Sequence, residues 1–409
     1  MIEELYSTYS SRFNIFEVSI LEVPDPATSL MICLPCYKEP DLISTLESLA
    51  NCHPPNGKVE LIICINAPEQ ASPSDLAQNA ETLAAIGEWK VHQQPYFLNT
   101  HILKFEKLDK KHAGAGWARK IAMDEALARW AVLGKDGPII CLDADCQVSR
   151  DYLQAIEEVF QLSWVKLGHL QFSHPFEKEE DIILKKGIIH YELHLRCHIA
   201  GLRWAGYPFA VHTLGSCMVV RASHYAKEGG MNRRKAGEDF YFMHKLLPLG
   251  GFVEIPATVF PSCRISDRVP FGTGRAQLEW LKEEKGVKRT YAIECYATLQ
   301  TLFSLVNNSF MEEVDFSRSG FGDFLLLEDL QSQFRTFKSQ SHSEDVYFRK
   351  VWQWLDGFKV LKLTHYLRDH RHPNQPVYEV AKSLLELKAF PSDEKKRVME
   401  LVKNLGVKV

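Results

Sequence analysis

Asp143 and Asp145 are the pair of side chains most able to do chemistry. They follow the apolar run Ile139-Ile140-Cys141-Leu142, with only Ala144 between them. An apolar run of that length reads as a buried strand, and open α/β sheets present ligands at the carboxyl ends of their strands. Two carboxylates held there repel each other unless a cation lies between them. A hard divalent ion such as Mg²⁺ or Mn²⁺ takes oxygen ligands and is shared readily with substrate phosphates. The spacing therefore predicts a metal-diphosphate site. On its own, the tripeptide more often marks a strand followed by an acidic turn.

Two other patterns compete for attention. Cys33-Leu34-Pro35-Cys36 is a C-x-x-C at a strand end before a helix, the setting in which a helix N-terminus lowers a thiol pKa. It admits a thiol oxidoreductase using Cys33 and Cys36, but that leaves the Asp143/Asp145 pair and Glu238-Asp239 unexplained. His190, His194 and His198 recur every fourth residue and share a helix face. Such a face can bind zinc, but Tyr191, Leu195 and Ile199 beside it suit packing. His212 and His244 are candidate extra metal ligands or structural histidines, and Trp352 and Trp354 read as core.

The elements that position these residues follow from periodicity. Ser29 to Leu34 reads as a strand, followed by a helix with Leu42, Ile43, Leu46 and Leu49 on one face and Pro40 in its first turn. Val59 to Ile65 and His101 to Glu106 read as further strands, with a helix over Ser74 to Trp89. Gly114 to Gly116 opens a helix carrying Met123, Ala126, Leu127 and Trp130, which Gly134 and Gly137-Pro138 end. After the Asp143 strand a helix starts near Ser149. Strands and helices thus alternate as in a mostly parallel, helix-covered sheet. Further strands are expected at Gly168 to Ser173, His212 to Ala222 and Phe252 to Ile255, with helices over Asp181 to Leu202 and from Glu238. Beyond Ala276 the pattern is helical, charged and rich in Trp and Leu, with a loop near Ser339 to Asp345.

The chain has 409 residues, 45% of them hydrophobic and 24% charged, which suits a globular protein of two or three domains. A formal charge of −4 argues against a general nucleic-acid binder. Ten cysteines, mostly in strand-like apolar contexts, point to reduced thiols and a cytoplasmic location. No secretory leader and no membrane-spanning run is expected, although a peripheral contact with the inner face of a membrane is compatible with the sequence.

Four motifs stand in order at strand ends or helix starts. They are Pro35-x-Tyr37-x-Glu39, the turn ending Gly116-Trp117-Ala118-Arg119, Asp143-x-Asp145, and Gly237-Glu238-Asp239. Together they resemble the family 2 glycosyltransferases of the GT-A fold, across roughly residues 29 to 275. The run from Gly215 through Arg221 and Gly229-Gly230-Met231 to Glu238-Asp239 is also similar to the family's approach to its catalytic carboxylates. The resemblance implies an α/β fold, a Rossmann-like mixed sheet covered by helices. In that division 1–28 is an N-terminal extension and 29–275 the GT-A domain, with 29–150 its nucleotide-binding half and 151–275 its acceptor half. A helical C-terminal subdomain over 276–409 completes the chain.

The implied activity is a metal-dependent, inverting hexosyl transfer from a nucleoside-diphosphate sugar to an acceptor hydroxyl. The acceptor, whether glycan, lipid-linked glycan or small molecule, is not named by the sequence. By the resemblance Asp145 is the direct ligand of Mg²⁺ or Mn²⁺, with Asp143 shared between metal and ribose. Asp239 is the general base with Glu238 beside it, and Pro35, Tyr37, Glu39, Asn66, Gly116 and Arg119 line the nucleotide pocket. Where the family often has Asp-Asp-Gly-Ser after its second strand, this chain has Asn66-Ala67-Pro68-Glu69. The departure leaves a UDP- or GDP-sugar open, with uridine the default. Lys111 and His112 are candidates to meet phosphate or acceptor, or else solvated loop residues. Arg264, Asp267, Arg268 and Thr273 lie in a loop suited to closing over the diphosphate and excluding water, or to acting as a turn-rich linker. A binding protein that has lost catalysis is the main alternative, and the intact Asp143, Asp145 and Asp239 argue against it. A sugar nucleotidyltransferase would want a glycine- and arginine-rich phosphate loop, which residues 29 to 40 lack.

Overall fold

A computed structural model describes residues 2–13, 16–109, 113–234, 237–266, 268, 271–282, 287–321 and 326–407. The chain forms two compact units, Met1–Pro175 with Thr213–Arg275, and Phe176–His212 with Ala276–Val409. Residues 176–212 are grouped in the same unit as 276–409.

In chain order the first unit holds α1 (Ile2–Phe13), β1 (Thr28–Cys36), α2 (Leu42–Ala50), β2 (Lys58–Pro68), α3 (Pro73–His92) and β3 (Leu98–Leu108). Next come α4 (Ala115–Val132), β4 (Pro138–Cys141), β5 (Cys146–Val148), α5 (Tyr152–Gln161) and β6 (Leu167–Phe172). After α6 (Ile182–Trp204), in the second unit, it resumes with β7 (Met218–Arg221), α7 (Ala222–Lys227), α8 (Glu238–Leu246) and β8 (Phe252–Pro261). Helix α9 (Thr273–Lys282) spans the boundary.

Among the described residues, eight strands form one mixed sheet in the order β3-β2-β1-β4-β7-β6-β8-β5. The first four are parallel, β7 runs antiparallel to both β4 and β6, β8 is parallel to β6, and β5 is antiparallel to β8. Cys33 lies opposite Ile62 of β2 on one side and Cys141 of β4 on the other. The central strands are apolar without alternation because they are buried on both faces; β2 is buried from Val59 to Ala67. This is the mixed, helix-covered α/β sheet expected.

The differences from the expected elements have local causes. Pro40 falls before α2 rather than in its first turn, with Asp41 as the N-cap. The strand expected from His212 starts only at Met218, because Gly215–Cys217 winds into a 3₁₀ turn. The strand expected to stop at Ile255 runs on to Pro261, since its far end pairs with β5. Strand β5 is three residues long and α1 lies ahead of the first strong apolar run, so neither stood out in the sequence.

The second unit is helical, as expected of the C-terminal part. Beside α6 it contains α10 (Ile293–Asn308), α11 (Leu326–Ser339), α12 (Glu344–Trp354), α13 (Gly357–His370), α14 (Val377–Glu386) and α15 (Ser392–Asn404). A two-stranded ribbon joins β9 (Arg289–Thr290) to β10 (Gln375–Pro376). Its core is aromatic: Tyr207, Phe303 and Trp352 pack within about 6 Å of each other's ring centres. Trp352 is therefore a core residue, and Trp354 packs at the edge of the same cluster.

Candidate active site

The carboxyl ends of β1 and β4 converge with the start of α8. The backbone N–H of Leu142, just past β4, donates to the Cys33 carbonyl at 3.1 Å, and Cys146 N donates to the Asp143 carbonyl at 3.1 Å. Asp143-Ala144-Asp145 is therefore a tight turn between β4 and β5. Ala144 is buried, and its carbonyl accepts the Thr45 hydroxyl from α2 at 2.9 Å. The buried alanine anchors the turn and leaves both carboxylates at the surface of the sheet end.

Helix α4 positions the main countercharge. It is buried almost all round, so its charged residues must find partners. Arg119 pairs with Asp143 through Nη2, at 2.5 Å from Oδ1, and with Glu238 through Nη1. Both acidic motifs thus share one guanidinium that is nearly inaccessible to water. Gly116 permits the approach: a Cβ there would stand 2.3 Å from the Arg234 carbonyl. Gly237 adopts φ 70° as the N-cap of α8, a left-handed conformation that favours glycine. Glu238 and Asp239 then fall in the first turn. Burial pushes the Glu238 carboxyl up, Arg119 pulls it back and Asp239 pushes it up again, leaving it at about 7. Burial likewise raises Asp239, against the pull of Arg119; its Oδ1 accepts the N–H of Phe240 at 2.7 Å.

The loop after β1 supplies a second cluster. Glu39 is fully buried and accepts the N–H of Asp41 at 2.9 Å. It is paired by Arg264 and Arg268. Arg268 Nη2 also lies 3.0 Å from Asp145 Oδ2 and Arg264 Nη2 3.5 Å from the same oxygen. Burial raises the Asp145 carboxyl against the pull of Arg268. Lys38 has φ 50°, a left-handed conformation uncommon outside glycine and concentrated at functional loops. The Tyr37 hydroxyl donates to Asp75 Oδ2 at 3.0 Å, and Lys38 Nζ lies 3.0 Å from Asp75 Oδ1. Asp75, in the first turn of α3, is a site neighbour that the sequence does not single out. Its only signal was the cap pattern Ser72-Pro73-Ser74-Asp75. Asn66 is buried and spends its amide on the Cys36 carbonyl at 3.0 Å, so it braces the Tyr37 loop.

The structure thus brings together Pro35, Tyr37, Glu39, Asn66, Gly116, Arg119, Asp143, Asp145, Glu238, Asp239, Arg264 and Arg268 around one sheet end. Thr273 is not a loop residue but the first residue of α9, and its hydroxyl pairs with His174 Nε2 at 3.0 Å. Lys111, His112 and Asp267 lie outside the described residues. His190 stacks on Trp280, His194 bonds Thr290, His198 bonds Tyr296 and His212 bonds Glu394, each a packing role within the helical unit. His244 packs on Phe240 within α8. Cys33 and Cys36 are buried, and burial pushes the Cys36 thiol up to about 12. A reactive thiol needs exposure and a lowered pKa, so the C-x-x-C is a packing feature.

Among the described residues no three His, Cys, Asp or Glu side chains are grouped to hold a metal. The turn offers two carboxylates, and the arginines engage Asp143 through Oδ1 and Asp145 through Oδ2. Such a donor set fits Mg²⁺ or Mn²⁺ bound by one or two carboxylates with phosphate oxygens and waters completing the sphere.

No family model matches the chain, and no curated protein matches it in sequence. Among the described residues, no helix is long and apolar enough to cross a membrane. Solved structures give remote likenesses. S. aureus TarS 1–349 in complex with UDP-GlcNAc is similar at 12% identity over 93% of both chains, with a TM-score of 0.40. GalNAc-T7 with UDP, GalNAc and Mn²⁺ is similar at 11% identity over 86% of this chain and 59% of that one, with a TM-score of 0.38. Likenesses at this level carry no argument, and the functional reading rests on this chain's own residues.

Proposed function

We propose that the chain is a metal-dependent, inverting glycosyltransferase of the GT-A type, resembling family 2. It moves a sugar from a nucleoside diphosphate to an acceptor hydroxyl. The observation that carries the reading is the single buried guanidinium of Arg119 joining Asp143, in the turn after β4, to Glu238, in the first turn of α8. Two acidic motifs 95 residues apart in the sequence (143 to 238) are thereby held on one scaffold.

In this reading Asp143 and Asp145 hold the metal, which when bound neutralises charge on the departing diphosphate as a Lewis acid. Tyr37 and Glu39 shape the nucleotide loop from the end of β1. Asp239 takes the proton of the acceptor hydroxyl while its oxygen bonds to the anomeric carbon. The bond from that carbon to the diphosphate oxygen breaks, and its electron pair leaves with the phosphate. A base raised by burial is a stronger base, and general-base help of this kind is worth roughly 10²- to 10⁴-fold. Attack opposite the leaving group inverts the anomeric centre.

The test is thermal unfolding of the full chain with UDP, GDP and other nucleoside diphosphates, with and without Mn²⁺, on wild type and Asp145→Ala. A ligand that binds the folded state raises apparent stability with the logarithm of its excess over Kd. A shift with one nucleotide that needs Mn²⁺ and vanishes in Asp145→Ala is expected. No shift with any nucleotide would remove the reading. A shift without transfer to any acceptor would favour the binding protein.

A further inference from the structure

Two arginines that the transfer step does not use hold the carboxylates around the metal turn. Arg268 places Nη2 3.0 Å from Asp145 Oδ2, and Nη1 2.5 Å from Glu39 Oε2 and 3.1 Å from the Tyr37 carbonyl. Arg264 pairs with the same Glu39, reaches Asp41 Oδ2 at 2.8 Å and lies 3.5 Å from Asp145 Oδ2. Both arise beyond β8, more than 200 residues after Glu39, yet Arg264 is hydrogen-bonded to Glu39 and Asp41 and Arg268 to Glu39 and Asp145.

We propose that Arg264 and Arg268 form a counter-ion latch: they compete with the divalent metal for Asp145 and pass to the diphosphate when a nucleotide brings the metal in. This rests on the nucleotide-sugar reading above. A metal on either oxygen of Asp145 would stand as a like charge beside the Arg268 guanidinium held on Oδ2, in a partly buried site where water screens them poorly. Metal alone must therefore weaken or break the bond from Arg268 Nη2 to Asp145 while Nη1 stays on Glu39, and losing a charged hydrogen bond in a partly buried site is costly. A diphosphate removes that cost. Its oxygens match the guanidinium fork and take two parallel bonds, while Asp145 turns to the metal. Glu39, fully buried and bonded to both arginines, is the fixed hinge of the exchange. The exchange makes and breaks no covalent bond. Its consequence is reciprocal coupling: nucleotide tightens metal binding by the factor by which metal tightens nucleotide binding.

The test is a titration of the full chain with Mn²⁺, free ion read by electron paramagnetic resonance. It is run alone and with UDP or GDP, on wild type, Arg268→Gln, Arg264→Gln and Arg268→Lys. Circular dichroism confirms that each variant is folded. Wild type is expected to bind Mn²⁺ about tenfold or more tightly with nucleotide than without, within the usual range of coupling between sites. Arg268→Gln is expected to bind Mn²⁺ alone several-fold more tightly than wild type and to lose most of the coupling. Arg268→Lys, which keeps the charge without the fork, is expected to fall between them. If both glutamine variants kept wild-type Mn²⁺ affinity and wild-type coupling, the latch would be wrong while the nucleotide site stood. If no nucleotide tightened Mn²⁺ binding in wild type, the nucleotide-sugar reading would fall and the latch with it.

Discussion

A methyl group at Gly215 would stand 2.7 Å from Nη2 of Arg119, so this glycine keeps open the space in which the guanidinium lies between Asp143 and Glu238. Gly215→Ala should push Arg119 off one of its acids. Arg119→Gln should leave two partly or fully buried carboxylates facing each other, at a cost of about 3–5 kcal/mol, the usual size for removing one partner of a buried pair. Arg119→Lys keeps the charge but cannot fork to both acids, and should fall between. Urea unfolding checks all three. A wild-type midpoint in Arg119→Gln would show that the bridge contributes nothing.

The same bridge has a pH signature. Burial leaves Glu238 at about 7 in the folded chain, against an unfolded value of 4.5. The folded state therefore binds this proton more tightly than the unfolded state, and stability falls as pH rises wherever that holds. The contribution is complete below pH 4.5 and lost as pH rises through about 7. Unfolding free energies of wild type and Glu238→Gln, followed from pH 4.5 to 7.5, should converge on different slopes, with the extra fall in wild type. Parallel slopes would mean that Glu238 does not titrate in this window.

The helical unit carries an acid of the opposite sign. Glu394 accepts from His212 Nε2 at 3.0 Å and pairs with Arg203 at 3.0 Å, with Arg196 at 3.6 Å. Burial pushes its carboxyl up, but the His212 bond and the arginine charges outweigh burial and bring it to about 2, from 4.5. Here the unfolded state binds the proton more tightly, so the stabilisation is present above pH 4.5 and lost as pH falls towards 2. Glu394→Gln should cost about 3 kcal/mol at pH 7, from 1.36 kcal/mol per pKa unit. The deficit should shrink in acid. An acid unfolding curve identical to wild type would sink this account.

Helix α1 is tied to the carrier of Arg119 through a buried polar network. The Tyr9 hydroxyl donates to Asp124 Oδ1 at 2.6 Å, Tyr225 donates to the same oxygen at 2.6 Å, and Lys120 Nζ reaches Tyr9 at 2.5 Å. Tyr9→Phe removes one donor from a buried carboxylate and one acceptor from a buried ammonium. It should cost about 1–3 kcal/mol, the penalty for leaving buried polar groups unsatisfied. Hydrogen exchange should show α4 opening more readily. Unchanged stability would mean that water replaces the phenol without loss.

The sequence made the parallel half of the sheet legible because β1, β2 and β4 are buried on both faces and read as unbroken apolar runs. The residues that met at the sheet end were readable for the same reason, since strand ends and helix starts are punctuated by Pro35, Gly116 and Gly237. What was not readable depends on partners distant in the chain. Strand β5 exists because β8 extends to meet it, and three residues carry no periodic signal. Asp75 joins the site because Lys38 takes a left-handed turn toward α3, which nothing in residues 35 to 40 announces. Thr273 reads as loop in the sequence because its helix begins inside a glycine-flanked segment. The grouping of 176–212 with the C-terminal helices is a matter of contacts between α6 and helices about 100 residues or more later, which periodicity does not encode.

Asp239→Asn separates binding from transfer. Asn keeps the shape of the side chain and an oxygen for the Phe240 N–H, which Asp239 Oδ1 accepts at 2.7 Å. It therefore preserves the first turn of α8 and the neighbouring Glu238–Arg119–Asp143 bridge. What it removes is the negative charge and the basicity that draw the acceptor proton. Nucleotide-dependent thermal shifts should stay close to wild type, while transfer to an acceptor should fall by roughly 10²- to 10⁴-fold, the range for losing a general base. Glu238→Gln is the comparison, because its partner Arg119 also holds Asp143. That variant should weaken metal-dependent nucleotide binding as well as transfer. Full transfer by Asp239→Asn, with loss confined to Glu238→Gln, would move the base to Glu238. Equal loss of binding in both would mean that the two carboxylates act together in holding the donor rather than in deprotonating the acceptor.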